Sequence, residues 1–180
     1  MKNNKGFSLV ELIVVVAIMA IMGSFIFFSF GLLTGQDARK CANNISTVLD
    51  KEKNYALTKS AEVDCYVEII LTDDGYYAKY YAPDKAIGGT AVLIEEQELG
   101  KKSVIVSCYK DNGGGSPTLV GTVTNSNPLR ITYNRVSGAI KEMSLNGVTE
   151  DINIIQIDKG RTYKIELFTA TGKHTLERTN

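Results

Sequence analysis

The sequence has 180 residues, which is room for one ordinary domain or for a smaller domain with an appendage. Lys plus Arg and Asp plus Glu both number 20, so the overall charge does not indicate nucleic acid or an acidic substrate as a partner. Hydrophobic residues are 44% and charged residues 22%, which argues against bulk disorder. A single histidine and three cysteines leave little material for a His-dependent catalytic triad or a His-rich metal site. We therefore expect no enzyme activity, no metal site and no cofactor.

The charge is distributed unevenly along the chain. From Phe7 to Gln36 the only ionisable side chain is Glu11, whereas the residues from Asp37 onward include 18 basic and 19 acidic ones. The uncharged run from Leu12 to Gln36 has 25 residues, and a helix crosses a bilayer core with about 20. Two lysines in the leader (residues 1–6) precede this run and are expected to stay in the cytoplasm. The pattern predicts a single-pass segment in the cell membrane with the C-terminal domain outside.

Three interpretations of this segment compete. A secretory signal peptide has an apolar core of about 7–15 residues, which is shorter than this run, and the only small-x-small cleavage site is Ser29-Phe30-Gly31. A plain membrane anchor would leave Glu11 unexplained, because a carboxylate in the apolar region costs roughly 2.5–3.5 kcal/mol on insertion scales. The third interpretation gives Glu11 a role.

Five features stand together at the N-terminus: a short basic leader, Gly6, Phe7, Glu11 and the aliphatic stretch that follows. In this order they resemble the N-terminus of type IV prepilins and type II secretion pseudopilins. The resemblance implies that a prepilin peptidase cuts the chain after Gly6. It also implies that Phe7, the new N-terminal residue, becomes N-methylated.

Cleavage after Gly6 would create a cationic amine on Phe7, four residues before the Glu11 carboxylate. In an apolar medium these two charges attract each other far more strongly than in water. The pair can form within one helix at i,i+4, or between Glu11 of one subunit and Phe7 of a neighbour. The resemblance favours the pair between subunits. Such a pair would fix the stagger of a filament, because a slip would leave two buried charges uncompensated.

Beyond Gly35 the helical pattern continues with polar residues among the apolar ones. Apolar and small residues recur at spacings of three and four, namely Ala38, Cys41, Ala42, Ile45, Val48, Leu49, Tyr55 and Ala56. We predict one helix from Phe7 to Lys59, which would have 53 residues and be roughly 80 Å long. Its membrane half (residues 7–35) would lie in lipid, and its amphipathic half (residues 36–60) would pack one face on a sheet.

From Glu62 onward, period-two patterns and turn residues predict an antiparallel β domain, assigned to residues 61–180. The predicted strands are Cys65–Leu71, Tyr76–Tyr81, Ala91–Ile94, Ser103–Tyr109, Leu129–Tyr133, Ala139–Leu145, Ile152–Ile157, Tyr163–Phe168 and a short strand after Gly172. Hairpin turns are expected at Asp73-Asp74-Gly75 and Asp158-Lys159-Gly160. The predicted fold class is α+β, with the long N-terminal helix packed on the antiparallel β domain.

This order of elements, together with the closing stretch from Tyr163 to Gly172, resembles the minor, H-type pseudopilins of general secretion systems. The second resemblance implies a low-abundance tip or initiating subunit of a cell-surface filament. Its expected partners are a prepilin peptidase, other pilin or pseudopilin subunits, the inner assembly platform and the lipid bilayer. Nucleic acid is expected as a partner only if the filament serves DNA uptake.

Other motifs have a structural interpretation that outweighs the functional one. Leu167 replaces the first glycine of a phosphate-binding loop that would end at Gly172-Lys173, and His174 replaces its Ser or Thr. The Asp73-Asp74 turn and the glycines after Asp111 could hold an ion, but solvated turns are the expected state. His174 is expected on the surface or on an edge strand.

The tyrosines of one predicted strand could form a stacking surface. Tyr76, Tyr77, Tyr80 and Tyr81 surround Lys79, and such a run can stack on single-stranded nucleic acid. Strand propensity explains the same residues equally well.

The three cysteines leave two pairing states open. Outside the cytoplasm a Cys65–Cys108 bridge could form, with Cys41 as a small apolar residue of the helix. The other possibility is three unpaired, partly buried thiols.

The leading functional hypothesis is a structural subunit of a pilus or pseudopilus. The alternative is a single-pass, membrane-anchored extracellular binding domain in which Glu11 is incidental. A membrane-tethered enzyme is disfavoured, since the sequence shows no nucleophile–base constellation and no metal-ligand spacing.

Overall fold

A computed structural model describes residues 9–58, 64–84 and 90–179 of the chain. It begins with one continuous helix, α1 (Leu9–Thr58), of 50 residues. At 1.5 Å per residue this helix is about 75 Å long. No proline precedes Pro83 in the sequence, so nothing within α1 removes a backbone donor. The predicted long helix is confirmed over these residues, while Phe7, Ser8 and Lys59 lie outside the described residues.

Eleven strands follow α1 in the described part of the chain. They are β1 (Tyr66–Leu71), β2 (Gly75–Asp84), β3 (Thr90–Lys101), β4 (Ile105–Lys110), β5 (Thr118–Thr122), β6 (Leu129–Tyr133), β7 (Ile140–Leu145), β8 (Val148–Thr149), β9 (Ile154–Asp158), β10 (Thr162–Phe168) and β11 (Lys173–Thr179). All the strand pairs are antiparallel. The α+β fold class with an antiparallel β domain is therefore confirmed.

The strands form two sheets. The six-stranded sheet has the order β3-β2-β1-β6-β7-β8, and the five-stranded sheet has the order β11-β10-β9-β4-β5. Both predicted hairpins are present, since β1 pairs with β2 and β9 pairs with β10. The register places Tyr66 between Tyr81 on one side and Thr132 on the other.

Three strands differ from the prediction. β3 runs to Lys101 instead of ending at Ile94, while β5 and β8 were not predicted. All three lie at the edges of their sheets. An edge strand that is exposed on both faces lacks the alternation of buried and exposed residues on which the prediction relied. The middle of β3 shows this, because Leu93 to Glu96 are all exposed.

The core lies between the two sheets and the amphipathic half of α1. The helix contacts β2, β3 and β6 of one sheet and β9, β10 and β11 of the other. The sheets are also joined by the Tyr76 hydroxyl, which accepts a hydrogen bond from Val106 N and donates one to Val123 O, both at 3.3 Å. A fully buried hydroxyl thus has two partners, as a buried polar group requires.

Within the described residues, no helix combines the length and the apolarity needed to cross a membrane. The single-pass arrangement expected from the sequence stays a prediction.

Candidate functional site

The residues assigned to processing lie at the very start of the chain. Gly6 and Phe7 fall outside the described residues, and α1 begins at Leu9. The cleavage and the methylation expected there stay predictions.

The first part of α1 presents apolar side chains around its whole circumference. Their exposed fractions range from 41% to 76%, for Leu9, Val10, Leu12, Ile13, Val14, Val15, Val16, Ile18, Met19, Ile21 and Met22. We call these residues, together with the intervening ones from Leu9 to Gly23, the exposed apolar segment. A helix that is apolar all round is stable only when lipid or other protein covers it. This segment is therefore a surface that needs lipid or other apolar protein side chains to cover it.

Glu11 lies in the first turn of the helix and is exposed among these apolar side chains. A carboxylate in the first turn interacts favourably with the helix N-terminus, where backbone N–H groups lack partners within the helix. Its position also leaves it available to a charge on another molecule. In the exposed apolar segment it is the only ionisable side chain.

The amphipathic half of α1 is attached to the turns of both sheets at its beginning. Asp37 forms ion pairs with Lys101 of β3 (3.1 Å, Nζ to Oδ1) and with Lys159, which follows β9. The hydrogen bonds from Lys159 and then Lys101 hold the pKa of the Asp37 carboxyl below its usual value. Arg161 crosses the helix at Gly35, where an added Cβ would lie 2.4 Å from the arginine Cδ. The helix thus enters the β domain at residues 35–37.

Further along the helix, polar contacts continue to both sheets. Asn44 Nδ2 donates to Leu99 O of β3 at 2.8 Å, and Lys53 Nζ donates to Thr171 O at 2.9 Å. These bonds give the helix one fixed rotation about its axis relative to the sheets.

His174 lies on the edge strand β11, as expected, but it is not a surface residue. Only 7% of its side chain is exposed, and its Nε2 lies 2.7 Å from Ser46 Oγ of the helix. Burial lowers the pKa of the imidazole, although the nearby Asp50 carboxylate opposes the shift. The histidine is therefore a packed contact between helix and sheet, and of the two locations expected for it the edge strand is confirmed, with the helix covering this edge.

The structure brings out one residue that the sequence pattern missed. Glu52 is fully buried on the face of α1 that packs against the sheets. The other buried residues of this face are Ala38, Cys41, Ala42, Ile45, Val48, Leu49 and Ala56. Glu52 follows Leu49 by three residues and precedes Ala56 by four, so helical spacing alone places the glutamate on the buried face. Burial raises the pKa of this carboxyl to about 7, and the neighbouring Lys51 charge opposes the shift only in part.

The turns weighed as ion sites have internal partners. Asp111 Oδ1 accepts a hydrogen bond from Gly113 N at 3.0 Å, which is an Asx turn. Asp73 lies 3.7 Å from Lys102, measured from Oδ1 to Nζ. Across residues 9–58, 64–84 and 90–179, no group of three or more His, Cys, Asp or Glu residues is placed to hold a metal ion.

The tyrosine run does not form one stacking surface, because alternate residues of a strand point to opposite faces. Tyr76 and Tyr80 are buried in the core. Tyr81, on the other face, stacks on Tyr66 with ring centroids 4.9 Å apart, and the Arg130 guanidinium lies 4.1 Å from the centre of the Tyr66 ring. These cross-strand contacts stabilise the sheet.

All three cysteines are buried, and within the described residues no disulfide joins them. Cys65 precedes β1 of the six-stranded sheet, Cys108 belongs to β4 of the other sheet, and no disulfide joins them, which agrees with the second of the two pairing states that the sequence left open. Burial raises the pKa of Cys41 and of Cys108 to about 12. Both thiols are therefore protonated at neutral pH, and the thiolate needed for disulfide exchange is scarce.

Comparison with curated proteins and with solved structures finds no match to this chain. The family described as the prokaryotic N-terminal methylation motif matches residues 1–27. The matched range contains Gly6, Phe7 and Glu11 and extends through the exposed apolar segment. The chain therefore carries the prepilin-type leader of type IV pilins and pseudopilins.

Proposed function

We propose that this chain is a structural filament subunit that is cleaved after Gly6, methylated at Phe7 and assembled into a type IV pilus or pseudopilus. The observation that carries the proposal is the exposed apolar segment, which directly follows the matched leader and contains a single carboxylate. A surface of this kind is covered by lipid before assembly and by neighbouring helices afterwards. A prepilin peptidase and other pilin subunits are the partners that such a leader implies.

Glu11 has a specific role in this proposal. In the filament its carboxylate pairs with the amino group of Phe7 on a neighbouring subunit, within the apolar bundle of helices. Removing one partner of a buried ion pair typically costs about 3–5 kcal/mol, because the other charge stays buried without compensation. The pair therefore selects one stagger between neighbouring helices.

We also propose that the subunit is a minor component, placed at the tip or acting in initiation. The support is the order of elements: a long helix, then an antiparallel β domain that closes with β10 and β11. This order is similar to that of the H-type pseudopilins. The inner assembly platform is then a partner during extraction from the membrane.

Intact mass spectrometry of the protein extracted from membranes of its native host tests the processing step. The expected mass lacks Met1 to Gly6 and includes one added methyl group. The same chain from a host without the prepilin peptidase is the control and is expected at full length. A full-length chain in the presence of the peptidase would rule out the proposal and favour a membrane-anchored binding domain.

Glu11→Ala tests the assembly step separately. The variant is expected to lose its six leader residues as the natural chain does, but to be absent from sheared filaments. Glu98→Gln, an exposed change on β3, is the matched control and is expected to assemble normally. Normal incorporation of processed Glu11→Ala would remove the proposed role of Glu11.

A further inference from the structure

Glu52 lies in the seam between α1 and the β domain. Its side chain is 0% exposed, and neither Oε1 nor Oε2 has a hydrogen-bond partner among the described residues. The hydroxyl of Tyr133, on β6, is also buried and has no partner in the described part of the chain. Since buried polar groups are almost always paired, two such groups in one seam indicate a feature other than stable packing.

The charged residues next to Glu52 on the helix point to other groups. Lys51 Nζ lies 2.6 Å from Glu95 Oε1 of β3 and 4.6 Å from the centre of the Tyr80 ring. The Asp50 carboxylate is directed toward His174, with its Oδ1 3.9 Å from the histidine Nδ1. Lys53 Nζ is engaged by the carbonyl of Thr171. No cation is therefore held directly against the Glu52 carboxyl by these neighbours.

Two tyrosines of the six-stranded sheet that lie near Glu52, Tyr80 and Tyr133, are uncharged at neutral pH, and the charged Glu95 of β3, which also acts on Tyr80, is paired with Lys51. The Glu52 charge raises the pKa of Tyr80 on β2 and of Tyr133 on β6, in both cases in addition to a larger effect of burial. The Tyr80 hydroxyl donates to Gln97 Oε1 at 3.4 Å. An ionised Glu52 would thus be a buried charge without a counter-ion, which is among the costliest states of a folded protein.

We propose that Glu52 is a pH-dependent latch, which holds the amphipathic half of α1 on the β domain while its carboxyl is neutral and loosens it when the carboxyl ionises. The neutral carboxyl fits the seam, because it carries no charge to desolvate. Ionisation favours any state in which residues around 52 gain access to water. The segment that responds is the end of α1, from about Val48 to Thr58, since Glu52 is at its centre.

The direction of the pH dependence follows from the two states of the latch. In the docked state the Glu52 pKa is raised from 4.5 to about 7, while in a released helix it has its ordinary value. The docked state therefore binds more protons, and its stability falls as the pH rises from about 4.5 to about 7 and is level above that. A difference of 2.5 pKa units corresponds to at most an about 300-fold change in the ratio of docked to released helix.

Hydrogen–deuterium exchange of the full chain in detergent micelles tests the latch. Protection of peptides from residues 48–58 is measured from about pH 4.5 to about pH 8.5, with correction for the intrinsic exchange rate. The natural chain is expected to lose roughly 100-fold of its protection over this range. Glu52→Gln, which cannot ionise, is expected to keep the same protection at every pH. Glu98→Gln is the matched control and should behave as the natural chain.

Two results would overturn the proposal. One is constant protection of the natural chain across the range, and the other is a parallel loss in the natural chain and in Glu52→Gln. Infrared spectroscopy of the natural chain gives a second measurement that needs no variant to fold. At about pH 6 an ordinary glutamate is ionised, so a carbonyl band of a protonated carboxyl that disappears near pH 7 supports the latch. No such band at pH 6 would sink it.

The latch does not depend on the proposed filament role. It concerns the folded chain itself, whether or not the leader has been removed. If the processing experiment finds a full-length chain, the filament proposal fails but the exchange result is unaffected. If the exchange experiment shows no pH dependence, the latch proposal fails but the processing result is unaffected.

Discussion

Gly172 is a residue at which a single added methyl group should strongly destabilise this fold. It lies in the turn between β10 and β11 with a positive φ of 61°, and its N–H donates to Phe168 O at 2.8 Å. A Cβ added there would lie 1.9 Å from the carbonyl oxygen of Gly138 and 3.1 Å from Cε1 of Tyr133. The first of these contacts is with backbone, so it cannot be relieved by rotating a side chain.

Gly147, in the turn between β7 and β8, offers a matched comparison. Its φ is 74°, and an added Cβ would meet no described atom within 4 Å. An alanine at either position has the cost of a left-handed backbone, about 1–2 kcal/mol. Only Gly172→Ala adds the cost of overpacking, typically about 1–3 kcal/mol. We expect Gly172→Ala to be less stable than Gly147→Ala by that second amount.

Thermal unfolding of the full chain in detergent, followed by far-UV circular dichroism, measures the difference. In a chain of this size 1 kcal/mol corresponds to about 2–4 °C, so an extra cost of about 1–3 kcal/mol should separate the two variants in Tm by roughly 2–12 °C. Equal Tm values would refute the reasoning, because they would show that the turn can move away from Gly138 at no cost.

Two further predictions follow from the buried polar groups and the thiols. Tyr76→Phe should destabilise the chain by about 1–3 kcal/mol, because Val106 N and Val123 O lose their partner. Tyr133→Phe should be neutral or slightly stabilising, because the Tyr133 hydroxyl has no described partner. Urea unfolding of both variants measures this, and a larger loss in Tyr133→Phe would contradict it. Without any reductant, all three cysteines should react with a thiol reagent after unfolding and none should react rapidly before it; fewer than three reactive thiols in the unfolded chain would reveal a disulfide.

Helical and strand periodicity were sufficient to predict the main elements. The spacing of three and four from Ala38 to Ala56 predicted the amphipathic half of α1, and the alternation in β1, β2, β6 and β10 predicted their bounds to within a few residues. These patterns are local consequences of one buried face, so they are visible in the sequence. The edge strands β5 and β8 were not predicted, since hydrogen bonding to a neighbour defines them and no buried face does. In the second half of β3 only Leu99 and Gly100 are buried, which is too short a pattern to predict a strand.

In the candidate site, too, some residues were predicted from the sequence and others became visible only in the structure. The leader was predicted from residue order, because a processing motif is read as a linear sequence, and the matched motif confirms it, while the roles of Gly6, Phe7 and Glu11 within it stay predictions. Glu52 was not identified, although its spacing from Leu49 and Ala56 places it on the buried face. A glutamate between two lysines is ordinarily a solvated residue, and only the positions of the strands around it show that it is enclosed.

The sequence by itself determined that this chain begins with a prepilin-type leader, continues as one long helix and ends as an antiparallel β domain, because each of these depends on neighbours along the chain. The tertiary structure alone decided which tyrosine hydroxyls find partners, that the thiols are not bridged and that Glu52 is enclosed without a counter-ion. These properties depend on which strands meet across the core, and the distances between residues far apart in sequence are set only when the two sheets and the helix pack together.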